Sequence, residues 1–261
     1  MNNIFKPARF GMLFIKFTAE HYKSYLMSLI VLMGVLMLGG SFMVYLINVR
    51  MEISLQLLLL LWVVMFTGTV FTSTIFADIN SKKAITSLTL PATHFEKYLV
   101  AWLYSFVIFL VLVISAFYLV MLFLLNIKHF PGEQQEVFSL FYNVNGLSTS
   151  VLFVLLTIYG VLHSIAFFGA IYFKKMHFVK TALLFFIVIG VLIICNNLVM
   201  RQMLNRDIIQ VMPFSNVGFM EKGTMYSVNV SGFVWTGQVV FVGMALFFWV
   251  AAYFRLKEKQ V

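Results

Sequence analysis

The chain has 261 residues, of which 62% are hydrophobic and only 10% charged, with a mean hydropathy of +0.99 and a formal net charge of +9. A water-soluble domain of this length could not hide so much apolar surface, and six stretches free of Asp, Glu, Lys and Arg are each long enough to cross the roughly 30 Å hydrocarbon layer as a helix. Leu55 to Met65 and Val107 to Leu125 are apolar on every side, which excludes the alternating pattern of a membrane barrel and predicts an all-α polytopic protein, a single membrane domain over residues 1–261.

Residues 1–24 come first. Pro7 suits an early helical position, after which Phe10, Leu13, Phe14 and Phe17 recur at helical spacing beside Arg9, Lys16, Glu20 and Lys23. This predicts an amphipathic helix lying in the membrane interface before the chain turns into span 1. The segment lacks the short apolar core and cleavage site of a removable signal peptide, so span 1 is expected to remain as an anchor. The uncharged stretches then run Ser24 to Val49, Ile53 to Ala77, Tyr98 to Ile127, Val137 to Phe173, Thr181 to Met200 and Gly223 to Phe254.

Basic residues near helix ends are retained on the cytoplasmic side. With both termini inside, thirteen Lys and Arg fall in inner segments and five in outer ones, so an N-in, C-in arrangement is expected. The net positive charge is then a topology signal and an attraction to anionic lipid headgroups. No basic run is interleaved with aromatics outside the spans, so no nucleic-acid partner is expected. Cys195, the single cysteine, lies inside span 5, which rules out an internal disulfide and a cysteine-based metal cluster and leaves a small packing residue.

Between spans 2 and 3, residues 78–97 read DINSKKAITSLTLPATHFEK, far longer than the few residues a turn needs. Ile85 and Leu88 are three apart, Pro91 ends any helix there, and Thr93 is placed to cap a new helix with Glu96 in its favourable first turn. A short cytoplasmic helix, a break and a restart are predicted. The other sizeable wet segment is external, residues 201–232, with Pro213, Gly218 and Gly223 as breakers.

The spans hold no Asp, Glu, Lys or Arg, the usual mark of proton relays or intramembrane hydrolysis. His163 stands well inside span 4 without a carboxylate or second ligand, and is read as a packing residue bonded to a neighbouring helix. There is no H-E-x-x-H pair, no G-x-S-x-G context and no G-x-x-x-x-G-K-[ST] phosphate loop, so the chain is expected to be no enzyme and to bind no metal, cofactor or ATP of its own. The polar residues within the spans are led by Asn196 and Asn197 in span 5 and by the hydroxyls near the end of span 2, among them Thr69 and Thr72. They are read first as interhelical hydrogen-bonding groups and second as the lining of a pathway. Such a lining suits an amphipathic or lipid-like cargo better than a small ion.

The order of parts, with the residues Leu88, Thr89, Leu90, Pro91 followed by Phe95, Glu96 and Lys97, resembles the membrane subunit of ATP-binding cassette transporters of the type 2 permease family. The resemblance implies that residues 78–97 form a coupling helix docking on a separate cytoplasmic ATPase subunit. Ile85, Leu88, Leu90, Pro91 and Phe95 would belong to that element, and Lys82, Lys83, Glu96 and Lys97 would orient it against a charged rim. It further implies a homodimer or paired permease in a bacterial cytoplasmic (inner) membrane, an N-terminal helix that braces the same ATPase, a partly re-entrant 201–232 segment, and export rather than import. The rival expectations are a non-transporting membrane scaffold or sensor component and a secondary carrier.

Overall fold

A computed structural model describes residues 5–75, 92–127, 136–141, 150–173, 176–204, 208–210, 217–221, 224–228 and 233–259. Among these, six helices are long and apolar enough to cross a membrane: α1 (Pro7–Tyr45), α2 (Ile53–Ile75), α3 (His94–Ile127), α4 (Val151–Tyr172), α5 (His177–Leu204) and α6 (Phe233–Lys259). The chain is a multi-pass membrane protein, as its hydropathy demands.

α1 departs from expectation. No turn separates an interfacial helix from span 1; instead 39 residues run unbroken, about 58 Å at the α-helical rise. The reason is in the sequence, since Met12 to Met33 contains neither Pro nor Gly and every turn can continue the last. Asn48, with φ of 60°, then takes the left-handed conformation that lets the chain reverse into α2.

α4 is the centre of the bundle. It packs along α6 in the longest helix contact and also touches α2, α3 and α5, while α1 lies along α3. Over half of the apolar stretch of α4 is buried and none of that of α5, so α5 is the outermost span. Close approach is achieved with small residues. A Cβ on Gly68 of α2 would overlap the ring of Tyr159 in α4, and one on Gly169 of α4 would overlap the side chain of Thr181 in α5.

α3 is not uniform. It widens into a π-helical turn over Leu103–Ile108, with nothing in LYSFVI, neither Pro nor Gly, to announce it. Such single turns of π-helix occur as bulges within α-helices, frequently at functional sites. Here the neighbours Tyr104 and Ser105 serve different helices: the Tyr104 hydroxyl hydrogen-bonds Thr18 of α1, and Ser105 turns to α4.

Between α5 and α6 the described residues form a small antiparallel sheet in the order β1 (Ile208–Gln210), β2 (Val217–Glu221), β3 (Thr224–Val228), with Phe219 opposite Tyr226. Hydropathy had not foreseen strands in residues 201–232. The open edges of so small a sheet could not be hydrogen-bonded by hydrocarbon, so these strands need water or protein along their edges.

The start of α1, the start of α3 and the end of α6 meet at one end of the bundle. Phe5 packs on Phe95 at 6.0 Å between ring centroids, and Phe95 on Tyr253 at 6.0 Å.

Candidate functional site

The segment that carries the sequence motif leads into this meeting point. Lys82, Lys83, Ile85, Leu88, Leu90 and Pro91 lie outside the described residues, whereas Phe95, Glu96 and Lys97 open α3. Thr93 caps that helix as expected. Its hydroxyl accepts from the Glu96 amide at 3.2 Å, and the Glu96 carboxylate accepts from the Thr93 amide at 2.8 Å, a complete capping box.

Glu96 does more than cap. Its Oε1 also accepts from the backbone amide of Lys6 at 2.9 Å and from Nη2 of Arg9 at 3.1 Å, across some 90 residues of sequence. The carboxylate is 0% exposed, and it sits where the amides of the first turn of α3 favour negative charge. Its oxygens are thus committed to α1 and to its own helix. Phe95 is exposed apart from its ring contacts, and Lys97 is half-buried. Behind them Tyr98 donates to the carbonyl of Trp249 at 2.8 Å, tying α3 to α6.

About two turns further along α3 from Tyr98 is a second polar cluster. Ser105, Tyr159 and His163 are each 0% exposed. The indole N–H of Trp249 can only donate, so its 3.0 Å contact makes Nδ1 of His163 the acceptor. The neutral imidazole then carries its proton on Nε2 and donates to Ser105 Oγ at 2.8 Å, and Ser105 passes its own proton to the carbonyl of Ala101 at 2.8 Å. Tyr159 donates to the Ser105 carbonyl at 2.7 Å. Every proton in the chain has a receiver, so this is a satisfied buried network joining α3, α4 and α6. His163 bonds neighbouring helices, as the sequence reading held. Phe106 stacks on Tyr159 at 5.4 Å and meets Trp249 edge-on at 5.3 Å, sealing the cluster from lipid.

The four residues read as a pathway lining are not brought together. Thr69 borders a cleft between α2, α4 and α5, close to Thr181. Thr72 is buried. Asn196 and Asn197 lie 15 and 16 residues beyond Thr181 on α5, more than about 20 Å along the bundle. Of the hydroxyls of α2, Thr72 also hydrogen-bonds across to Tyr159 of α4, and each has a carbonyl on its own helix. Thr67, Thr69, Thr72, Ser73 and Thr74 all donate to carbonyls of their own helix, at 2.7, 2.9, 2.6, 2.7 and 2.8 Å. A hydroxyl that satisfies itself on the preceding turn needs no partner from a neighbouring helix.

Sequence reasoning missed one buried group. Gln56, at the start of α2 and at the opposite end of the bundle, is 0% exposed; its Nε2 donates to the carbonyls of Met51 at 2.7 Å and Glu136 at 3.0 Å, and its Oε1 accepts from the Phe138 amide at 3.0 Å. The signal available was a lone amide in an otherwise apolar run. Comparison of the chain with known protein families, with curated proteins and with solved structures finds no match.

Proposed function

We propose that this chain is the membrane-spanning permease subunit of an ATP-binding cassette transporter, working as a homodimer or paired permease in a bacterial inner membrane and driven by a separate cytoplasmic ATPase subunit. In this reading it exports an amphipathic or lipid-like substrate, and both termini face the cytoplasm. The family resemblance of the 82–102 sequence supplies the identity of the partner, and one structural observation supports the mechanical side of the reading: the Glu96 junction. A push delivered to residues 76–91 arrives at the first turn of α3. There the buried Glu96 passes it to α1 through Lys6 and Arg9, and Tyr98 passes it to α6. Three spans would move as one body, which is what a coupling element needs if the ATP cycle of a neighbour is to bias inward- against outward-open states.

The test is to express the chain with a candidate ABC ATPase, purify the pair, and measure ATP hydrolysis in the complex. The expected result is a stable complex that loses the ATPase when Leu88 is replaced by Asp, with the permease itself still folded. An ATPase that binds the Leu88→Asp and Lys82→Glu variants as well as the parent would remove residues 78–97 as the docking element. A chain that never associates with any ATPase would favour the scaffold reading.

A further inference from the structure

The cleft between α2, α4 and α5 has a volume of about 270 Å³, many times the roughly 30 Å³ share of one liquid water. Trp62, Phe66 and Phe186 line it and are themselves half or more exposed, so the cleft opens sideways, toward the membrane rather than toward either end. Ala166 and Ala182 provide the room, and the close contact of Gly169 with Thr181 joins α4 to α5 beside it. The hydroxyls of Thr69 and Ser73 on its wall are satisfied by their own helix, so a ligand there needs no polar groups within the cleft.

Charge lies beside one end of the cleft. Lys180 is exposed in the first turn of α5, next to Thr181 of the cleft wall, with Nζ 5.8 Å from the Phe173 ring. Lys174, Lys175 and Lys180 fall within seven residues, and the sequence has no Asp or Glu from 137 to 206. An apolar slot open to lipid, with the Lys180 cation at its mouth and no acid in the sequence from 137 to 206, is complementary to a molecule with a negative head and a hydrocarbon tail. We infer that the cleft holds one acyl chain of an anionic phospholipid from the surrounding leaflet, with Lys180 at its headgroup. This inference does not depend on the chain transporting anything.

Trp62 reports on the cleft. The whole chain is placed in bilayer nanodiscs of phosphatidylcholine containing a minor fraction of either acyl-brominated phosphatidylglycerol or acyl-brominated phosphatidylcholine. Quenching of Trp62 is taken as the difference between the parent and Trp62→Phe. Bulk lipid quenches equally whatever its headgroup, whereas the site should enrich the anionic lipid about fivefold, the effect of one lysine near a charged headgroup. Ala182→Phe fills the slot and Lys180→Gln removes the cation, and each should return the anionic lipid to the quenching of the neutral one. Lys180 is exposed, so its variant keeps the test decisive should Ala182→Phe fail to fold. Equal quenching by the two lipids in the parent overturns the inference, as does an anionic excess that survives both substitutions. Protection of Trp62 from both lipids, as a second copy of the chain seated on the cleft would give, overturns it too.

Discussion

Each end of the bundle is held by one fully buried polar side chain, but Glu96 does it with a charge and Gln56 with a neutral amide. Glu96 gathers the amides of Lys6 and Thr93 and the guanidinium of Arg9, so three separate groups converge on two oxygens. Gln56 joins Met51, Glu136 and Phe138 through their backbones alone. A buried charge is tolerable only with its partners in place, and removing one partner leaves an ion in an apolar surround. A buried amide costs far less to leave half-satisfied. The charged junction is therefore the one whose integrity decides whether α1 and α3 move together, and the neutral one is a clip that closes the segment before α4 onto α2.

Breaking the charged end should have the largest effect. Glu96→Ala removes the carboxylate half of the capping box of α3 and leaves Arg9 and two amides facing each other, a loss of about 3 kcal/mol by analogy with broken buried pairs, discounted for the one-quarter exposure of Arg9. The measurement is the denaturation midpoint in mixed micelles, with protease sensitivity of residues before Ser24 as a second readout. Glu96→Gln keeps one acceptor for the capping amide and should cost only about 1 kcal/mol. A Glu96→Ala variant as stable as the parent, with its first helix still protected, would show that α1 is held by its aromatic contacts alone.

The converse exchange sharpens the comparison. Gln56→Glu sets a carboxylate against the carbonyl oxygens of Met51 and Glu136, where two donated bonds had been, and should destabilise by about 2 to 3 kcal/mol, whereas Gln56→Leu should cost about 1 to 2 kcal/mol. If the two variants prove equal, the end is wet enough to solvate a charge, and the contrast between the ends is one of solvent access rather than of chemistry.

Between the ends, the His163 network is neutral like Gln56 but far from water. His163→Phe strands the Trp249 N–H and removes the bond that Ser105 Oγ accepts, and should cost about 1 to 2 kcal/mol, the upper part of the range for polar pairs between membrane helices. Indole fluorescence of Trp249 should shift as its hydrogen bond is lost. An unmoved spectrum would mean that His163 is held by ring stacking on Phe167 rather than by its nitrogens.

How much of this the amino-acid sequence disclosed follows from the range of each interaction. The six spans and the Thr93 cap are local properties of composition and spacing, and they are where hydropathy and capping rules put them. So is the uninterrupted α1, which needed only attention to the absence of a breaker between Met12 and Met33. The Glu96 pairing spans about 90 residues, and an acidic first-turn residue looks the same whether or not an arginine arrives from elsewhere. The π-turn at Leu103–Ile108 has no compositional mark, because it answers to the neighbours of Tyr104 and Ser105 rather than to their own preferences. In the segment between α5 and α6, breakers such as Gly218 were visible, but strand pairing between β2 and β3 depends on the register of a hairpin.

The smallest effect is expected where the sequence suggested a pathway. Thr69→Val preserves the shape of a residue whose hydroxyl is spent on Met65 and Phe66 of its own helix, so stability should change by no more than about 0.5 kcal/mol. Against the polar groups at the two ends, Thr69 is the control: equally uncharged and within a span, but satisfied by its own helix. A loss approaching that of Gln56→Leu would mean that the Thr69 hydroxyl serves something across the cleft that its bond to Met65 does not supply, and the hydroxyls of α2 would regain their claim to line a path.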